Sequence, residues 1–219
     1  MRLINFLFDT LRHVLLAGGT VCLAYAAFVT VDSKFAQDRA GREFEKARVE
    51  RDQTAQSGVA AAPQTPPRRG DAIARLEVPR LELSAMVLEG DDAGILFRGV
   101  GHISGTAMPG SGGNSCLAAH RDSFFRPLKD IRVGDSIEVT TWDGSLQYEV
   151  DSILIVDPDD VWVMAPSQDE RLTLISCYPF YFIGKAPRRF IVQASACDSL
   201  CREDRLDSLA VREAFPDPI

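Results

Sequence analysis

Leu172-Thr173-Leu174-Ile175-Ser176-Cys177-Tyr178-Pro179-Phe180 is an apolar, β-branched run that ends on a cysteine just before a turn. β-Branched side chains fit a pleated surface, so the run reads as a strand. A thiol at a strand end is held rigidly by the sheet and still reaches solvent and a substrate, the placement that a cysteine nucleophile needs. Working outward, the same texture recurs in Ile73-Ala74-Arg75-Leu76-Glu77-Val78, Ala85-Met86-Val87-Leu88, Ser115-Cys116-Leu117-Ala118-Ala119 and Ser136-Ile137-Glu138-Val139-Thr140-Thr141. It continues through residues 147–156 and 189–194, with Asp143-Gly144 and Asp157-Pro158-Asp159 as turns between runs. Seven or eight short strands with little helix between them predict an all-β domain, an antiparallel barrel.

The totals fit one such domain with additions at its ends. The chain has 219 residues, a net charge of -7 and 8% aromatic residues. A core of roughly 125 residues buries about two-thirds of its unfolded surface, enough to be stable without disulfides. No basic block offsets phosphate repulsion, which argues against a nucleic-acid partner. Gly110-Ser111-Gly112-Gly113 lacks the lysine and the preceding strand of a phosphate cradle, and no other cofactor loop is present. Five cysteines is an odd number, so at least one thiol is expected to stay reduced.

Four regions follow along the chain. Residues 1–32 read as a membrane anchor, because residues 14–31 carry no charge. As a helix rising about 1.5 Å per residue, that run nearly spans a hydrocarbon core of about 30 Å. A cleaved signal peptide is the rival, with Ala24-Tyr25-Ala26 as its cleavage pattern, but the apolar run continues past it. Residues 33–70 form a charged juxtamembrane helix with few apolar residues to bury, then an Ala/Pro-rich linker that gives the domain reach. Residues 71–196 are the β domain, and residues 197–219 a charged tail. Basic residues flank the apolar run on both sides, so charge counting does not orient it.

Chemistry concentrates in three places. Cys177 is joined by the histidine of Leu117-Ala118-Ala119-His120-Arg121-Asp122 and by the arginines of Pro187-Arg188-Arg189-Phe190-Ile191-Val192. Cys116 is a competing thiol, but it lies four positions from His120 along the strand, about 13 Å, so it reads as core packing. His102, in a Gly-rich turn, is the alternative base. Asp122 reads as orienting local backbone or Arg121, or equally as a surface carboxylate. Asp157, Asp159 and Asp160 read as a solvated turn in preference to a calcium site, and no metal or cofactor is expected. Cys197 and Cys201 allow a local disulfide, at a spacing awkward for a regular helix.

In these contexts the three segments resemble the sortases, membrane-anchored cysteine transpeptidases of bacterial envelopes. Several segments look like those of class D members, and Gram-negative sortase-like proteins share much of the pattern: Leu76-Glu77-Val78-Pro79, Arg98-Gly99-Val100-Gly101-His102, Thr106-Ala107-Met108-Pro109-Gly110 and above all Ala119-His120-Arg121-Asp122-Ser123-Phe124-Phe125-Arg126-Pro127-Leu128. The resemblance implies the eight-stranded sortase β-barrel with short helices, preceded by a transmembrane helix and lying outside the cytoplasmic membrane. It implies His120, Cys177 and Arg189 as catalytic residues. The expected partners are proteins bearing a C-terminal sorting signal of the Leu-Pro-x-Thr-Gly type and an amine acceptor, a cell-wall precursor or a pilin lysine. Ser176 stands where the family usually has threonine; it keeps the hydroxyl and loses a methyl, and is expected to border the substrate groove. Two other functions remain open on these residues: a silent envelope peptide-binding module, and a cysteine hydrolase that releases proteins to water.

Overall fold

The computed structural model describes residues 2–56, 66–182 and 184–197. Eight strands close into one barrel: β1 (Ala72–Val78), β2 (Leu83–Glu89), β3 (Val100–His102), β4 (Asn114–Ala118), β5 (Ser136–Thr141), β6 (Gly144–Val156), β7 (Arg171–Tyr178) and β8 (Arg188–Ala196). Their order around the barrel is β1-β2-β3-β4-β7-β8-β6-β5. Closure leaves no strand edge unpaired.

Alternation in the sequence decides which side chains go inside. In β5, Ile137 and Val139 are buried while Ser136, Glu138 and Thr140 are half-buried, the period-two pattern of a strand with one face on the core. Leu76, Val78, Leu117, Phe125, Leu128, Tyr148, Leu172, Leu174 and Val192 fill the interior with them. Each such side chain contributes roughly 1.5–3 kcal/mol on full burial. The one phenol in this core is satisfied: the Tyr148 hydroxyl donates to Glu170 Oε1 at 2.6 Å. Burial and that carboxylate both push the phenol upward, so it stays protonated.

The barrel departs from the sequence reading in two ways. It is mixed, with parallel pairing in β2–β3 and β4–β7. And His102 lies at the end of β3, a three-residue strand whose glycine-rich sequence carries no β-branched run. His102 is 2% exposed, its Nδ1 2.7 Å from Glu89 Oε2 and its Nε2 3.0 Å from the Ala107 carbonyl.

The N-terminal region is a single helix, α1 (Arg2–Gln56), and a second short helix, α2 (Ala93–Arg98), precedes β3. Residues 14–31 lie within α1; among the described residues no helix is long and apolar enough to cross a membrane. The second half of α1 is docked, where a solvated helix was expected. Phe44 is 2% exposed and stacks on Trp142 at 6.0 Å. Gln37 accepts from the Met86 amide at 2.7 Å and donates to the Arg98 carbonyl at 2.5 Å. Arg51 pairs with Asp143 at 3.2 Å. One aromatic and one amide on the same helical face are enough to dock an otherwise polar helix. The end of the expected linker is likewise held, with Gly70 donating to Glu89 at 2.8 Å and Arg69 bound to Asp92. The rest of that linker, residues 57–65, and the tail from residue 198 lie outside the described residues.

Candidate active site

Three adjacent strands, β4, β7 and β8, build the site at one end of the barrel. In the antiparallel β7–β8 pair, Cys177 is opposite Arg189, Ser176 opposite Phe190 and Tyr178 opposite Arg188. Directly opposed residues share a face, and neighbours along a strand do not. Phe190, Val192, Leu172 and Leu174 belong to the interior, so Cys177 and Arg189 point outward together.

His120 arrives by the same logic. The parallel β4–β7 register ends at Ala118 opposite Ile175; carried two residues further, it brings His120 alongside Cys177. Two hydrogen bonds hold that extension in place. The Ala119 amide donates to the Ile175 carbonyl at 3.2 Å, and Ser176 Oγ donates to the Ala119 carbonyl, also at 3.2 Å. Ala119 is buried among the core residues, so His120 takes the opposite, exposed side.

The result is a cleft of about 280 Å³ lined by His120, Arg121, Asp122, Cys177, Gly184, Lys185, Ala186 and Arg189. Three cations stand against one carboxylate in that lining, a field that favours negative charge on a bound group. All three residues singled out as catalytic therefore border one opening. Ser176 does not: it is 2% exposed, faces the barrel interior and spends its hydroxyl on Ala119. Alternation forces this, because Cys177 takes the outward position.

The competing residues are placed elsewhere. Cys116 is fully buried, opposite Thr173, and burial pushes its thiol up to about 11. His102 is enclosed with Glu89, outside the cleft. Arg188 is exposed, with Nε 3.8 Å from Asp157. Asp160 accepts from the Asp157 amide at 2.9 Å within a closed turn. Among the described residues no group of three or more His, Cys, Asp or Glu side chains could hold a metal ion. Cys201 lies outside the described residues, so its pairing with Cys197 is not described.

Arg121 is a cleft residue to which sequence reasoning gave no role beyond a pairing with Asp122. Its guanidinium donates to three carbonyls of the β7–β8 connection: Pro179 at 3.0 Å, Phe182 at 2.7 Å and Gly184 at 3.0 Å. Among the described residues no hydrogen bond or ion pair joins it to Asp122. The only sequence signal was adjacency to His120.

Comparison with known proteins identifies the fold and the family. The sortase domain family matches residues 76–197. Sortase D of Bacillus subtilis is 30% identical over 185 residues, 81% of this chain and 93% of the relative. Among solved structures, a Clostridium perfringens sortase D5 transpeptidase superposes with a TM-score of 0.62 at 26% identity, covering 76% of this chain and 99% of that one. A lid mutant of Corynebacterium diphtheriae sortase A gives 0.55 at 30% identity, over 60% and 73%.

Proposed function

The chain belongs to the sortase family of cysteine transpeptidases, and we propose on that premise that it cleaves a Leu-Pro-x-Thr-Gly-like sorting signal and passes the protein to an amine through a thioacyl intermediate on Cys177. The observation that carries this reading is the meeting of His120, Cys177 and Arg189 at one cleft. Cys177 Sγ attacks the threonine carbonyl of the scissile bond, giving a tetrahedral oxyanion. Arg189, on the same face, donates hydrogen bonds to that oxygen. Collapse breaks the C–N bond, and His120 gives a proton to the departing amine. The acceptor amine then loses its proton to His120, attacks the thioester carbonyl and restores the thiolate.

Ser176 supports the reaction from beneath. Its bond to Ala119 fixes the backbone that presents His120, so its influence on substrate choice runs through that backbone.

The same reading places the barrel outside the cytoplasmic membrane, tethered by the uncharged run at residues 14–31 of α1. Its support is the row of outward apolar side chains without protein cover: Val14, Leu15, Leu16, Val21 and Leu23 are each at least 60% exposed. The testing experiment incubates full-length protein with a panel of sorting peptides varied at the x position, with and without added triglycine. Amide-linked peptide–triglycine is the expected product. Hydrolysed peptide alone, whatever the amine concentration, would make the protein a hydrolase, and no cleavage together with peptide binding would make it a silent binding module.

A further inference from the structure

Between Cys177 and Arg189 the chain leaves the barrel and returns, and residues 184–186 of that connection form one wall of the cleft. The wall has little intrinsic rigidity. It is not a strand, it contains Gly184 at a φ of +108°, and Tyr181 stands 78% exposed. Phe180, at the start of the connection, packs edge-on against Phe190 of β8 at 5.1 Å; beyond it, among the described residues, the hydrogen bonds that tie the connection to the His120 segment come from one side chain. Arg121 reaches across from the His120 segment and bonds three of its carbonyls, and its guanidinium lies 5.9 Å from the centre of the Phe182 ring.

We propose that Arg121 is a positioning residue that holds the β7–β8 connection as a fixed cleft wall, so that the sorting peptide meets a preformed groove. The inference rests on the sortase reading given above and adds a residue to it. Backbone carbonyls before and after the turn converge on a single planar fork. A fork with several donors in fixed directions can satisfy them at once, whereas a lysine ammonium offers a point charge on a flexible stem. Hydrogen bonds to a charged donor are stronger than neutral ones, and three of them converge on this short exposed connection. Loss of the fork lets the wall open. The peptide must then order it on binding, which weakens binding and leaves the reacting groups on the barrel where they were.

Two variants of the full-length protein in detergent test this. Arg121→Lys keeps the charge and loses the fork; Arg121→Met keeps the stem over Phe182 and loses every donor. Hydrogen exchange, which needs no substrate, should rise about tenfold or more at residues 180–187 in both variants, with β4, β7 and β8 unchanged. With a sorting peptide that the wild type accepts, KM should rise about tenfold while kcat and its pH profile stay nearly constant. Unchanged exchange in that connection would overturn the proposal. Exchange rising throughout the barrel with a drop in Tm would also overturn it, by making Arg121 merely structural. If Arg121→Lys matches the wild type while Arg121→Met is impaired, charge and not the fork is the active feature, and the proposal again fails. Absence of any peptide turnover by the wild type would count against the sortase reading alone, because the exchange measurement still decides the role of Arg121.

Discussion

Arg189 stands directly across from Cys177 in the β7–β8 pair, whereas Arg188 stands across from Tyr178. One residue of register thus separates an arginine on the face of Cys177 from one on the other face. Arg189→Lys should therefore lower turnover by about 10²–10³, as the loss of a donor at a developing oxyanion typically does. Arg188→Lys should leave it nearly unchanged, since that side chain is exposed and paired only loosely with Asp157. Steady-state transpeptidation by the two variants checks this; a severe loss in Arg188→Lys beside a healthy Arg189→Lys would reverse the assignment.

The two barrel thiols should separate by reactivity. Cys116 is enclosed and its thiol sits near 11, so at neutral pH almost none of it is thiolate. Cys177 lines the cleft. Iodoacetamide at pH 7 should carboxamidomethylate Cys177 and spare Cys116, read by peptide mapping. Equal labelling of both under native conditions would contradict the placement of Cys116.

Acid should weaken the barrel through Asp135. Burial alone would raise this carboxyl, but the Arg80 fork and the Arg132 amide outweigh it and hold the carboxyl below its ordinary value. A carboxyl depressed in the folded state adds stability above its unfolded pKa and loses it as pH falls through the folded one. Urea midpoints of wild type and Asp135→Asn should therefore differ most at neutral pH and converge below about pH 4. A gap that widens in acid would refute the coupling.

Helix α1 should detach without unfolding the barrel. Phe44→Ala removes the aromatic buried against Trp142, a change that costs about 3–5 kcal/mol in a sealed core and less where a helix can leave instead. The Met86 amide, bonded to Gln37, should then exchange faster while the interior amides of β5 and β6 keep their protection. Equal deprotection of all of them would mean that the helix belongs to the barrel's cooperative unit.

Strands with strong alternation, such as β1 and β5, were legible from residue type alone, and so was the thiol at the end of β7. The residues of β3 were not, because Val100-Gly101-His102 owes its pairing to its neighbours on either side. The docking of α1 was hidden for a similar reason. Phe44 is one aromatic in a polar stretch, and its worth depends on Trp142, 98 residues further along the chain. For the site, alternation along a strand could separate Arg188 from Arg189 once the register was known, and register is a long-range property. Ser176 shows the limit most clearly: its place in the family's cysteine motif suggested a groove residue, yet the residue before Cys177 in a strand takes the opposite face. Arg121 acts on carbonyls, which leave no mark in side-chain sequence.

Intact-mass and peptide-mapping mass spectrometry of the protein quenched in acid after mixing with a sorting peptide tests the central claim most directly. A thioacyl adduct of the peptide fragment ending in threonine should appear on Cys177, disappear on adding triglycine with formation of the peptide–triglycine amide, and be absent in Cys177→Ala. An adduct mapped to Cys116, or turnover that survives Cys177→Ala, would contradict the account.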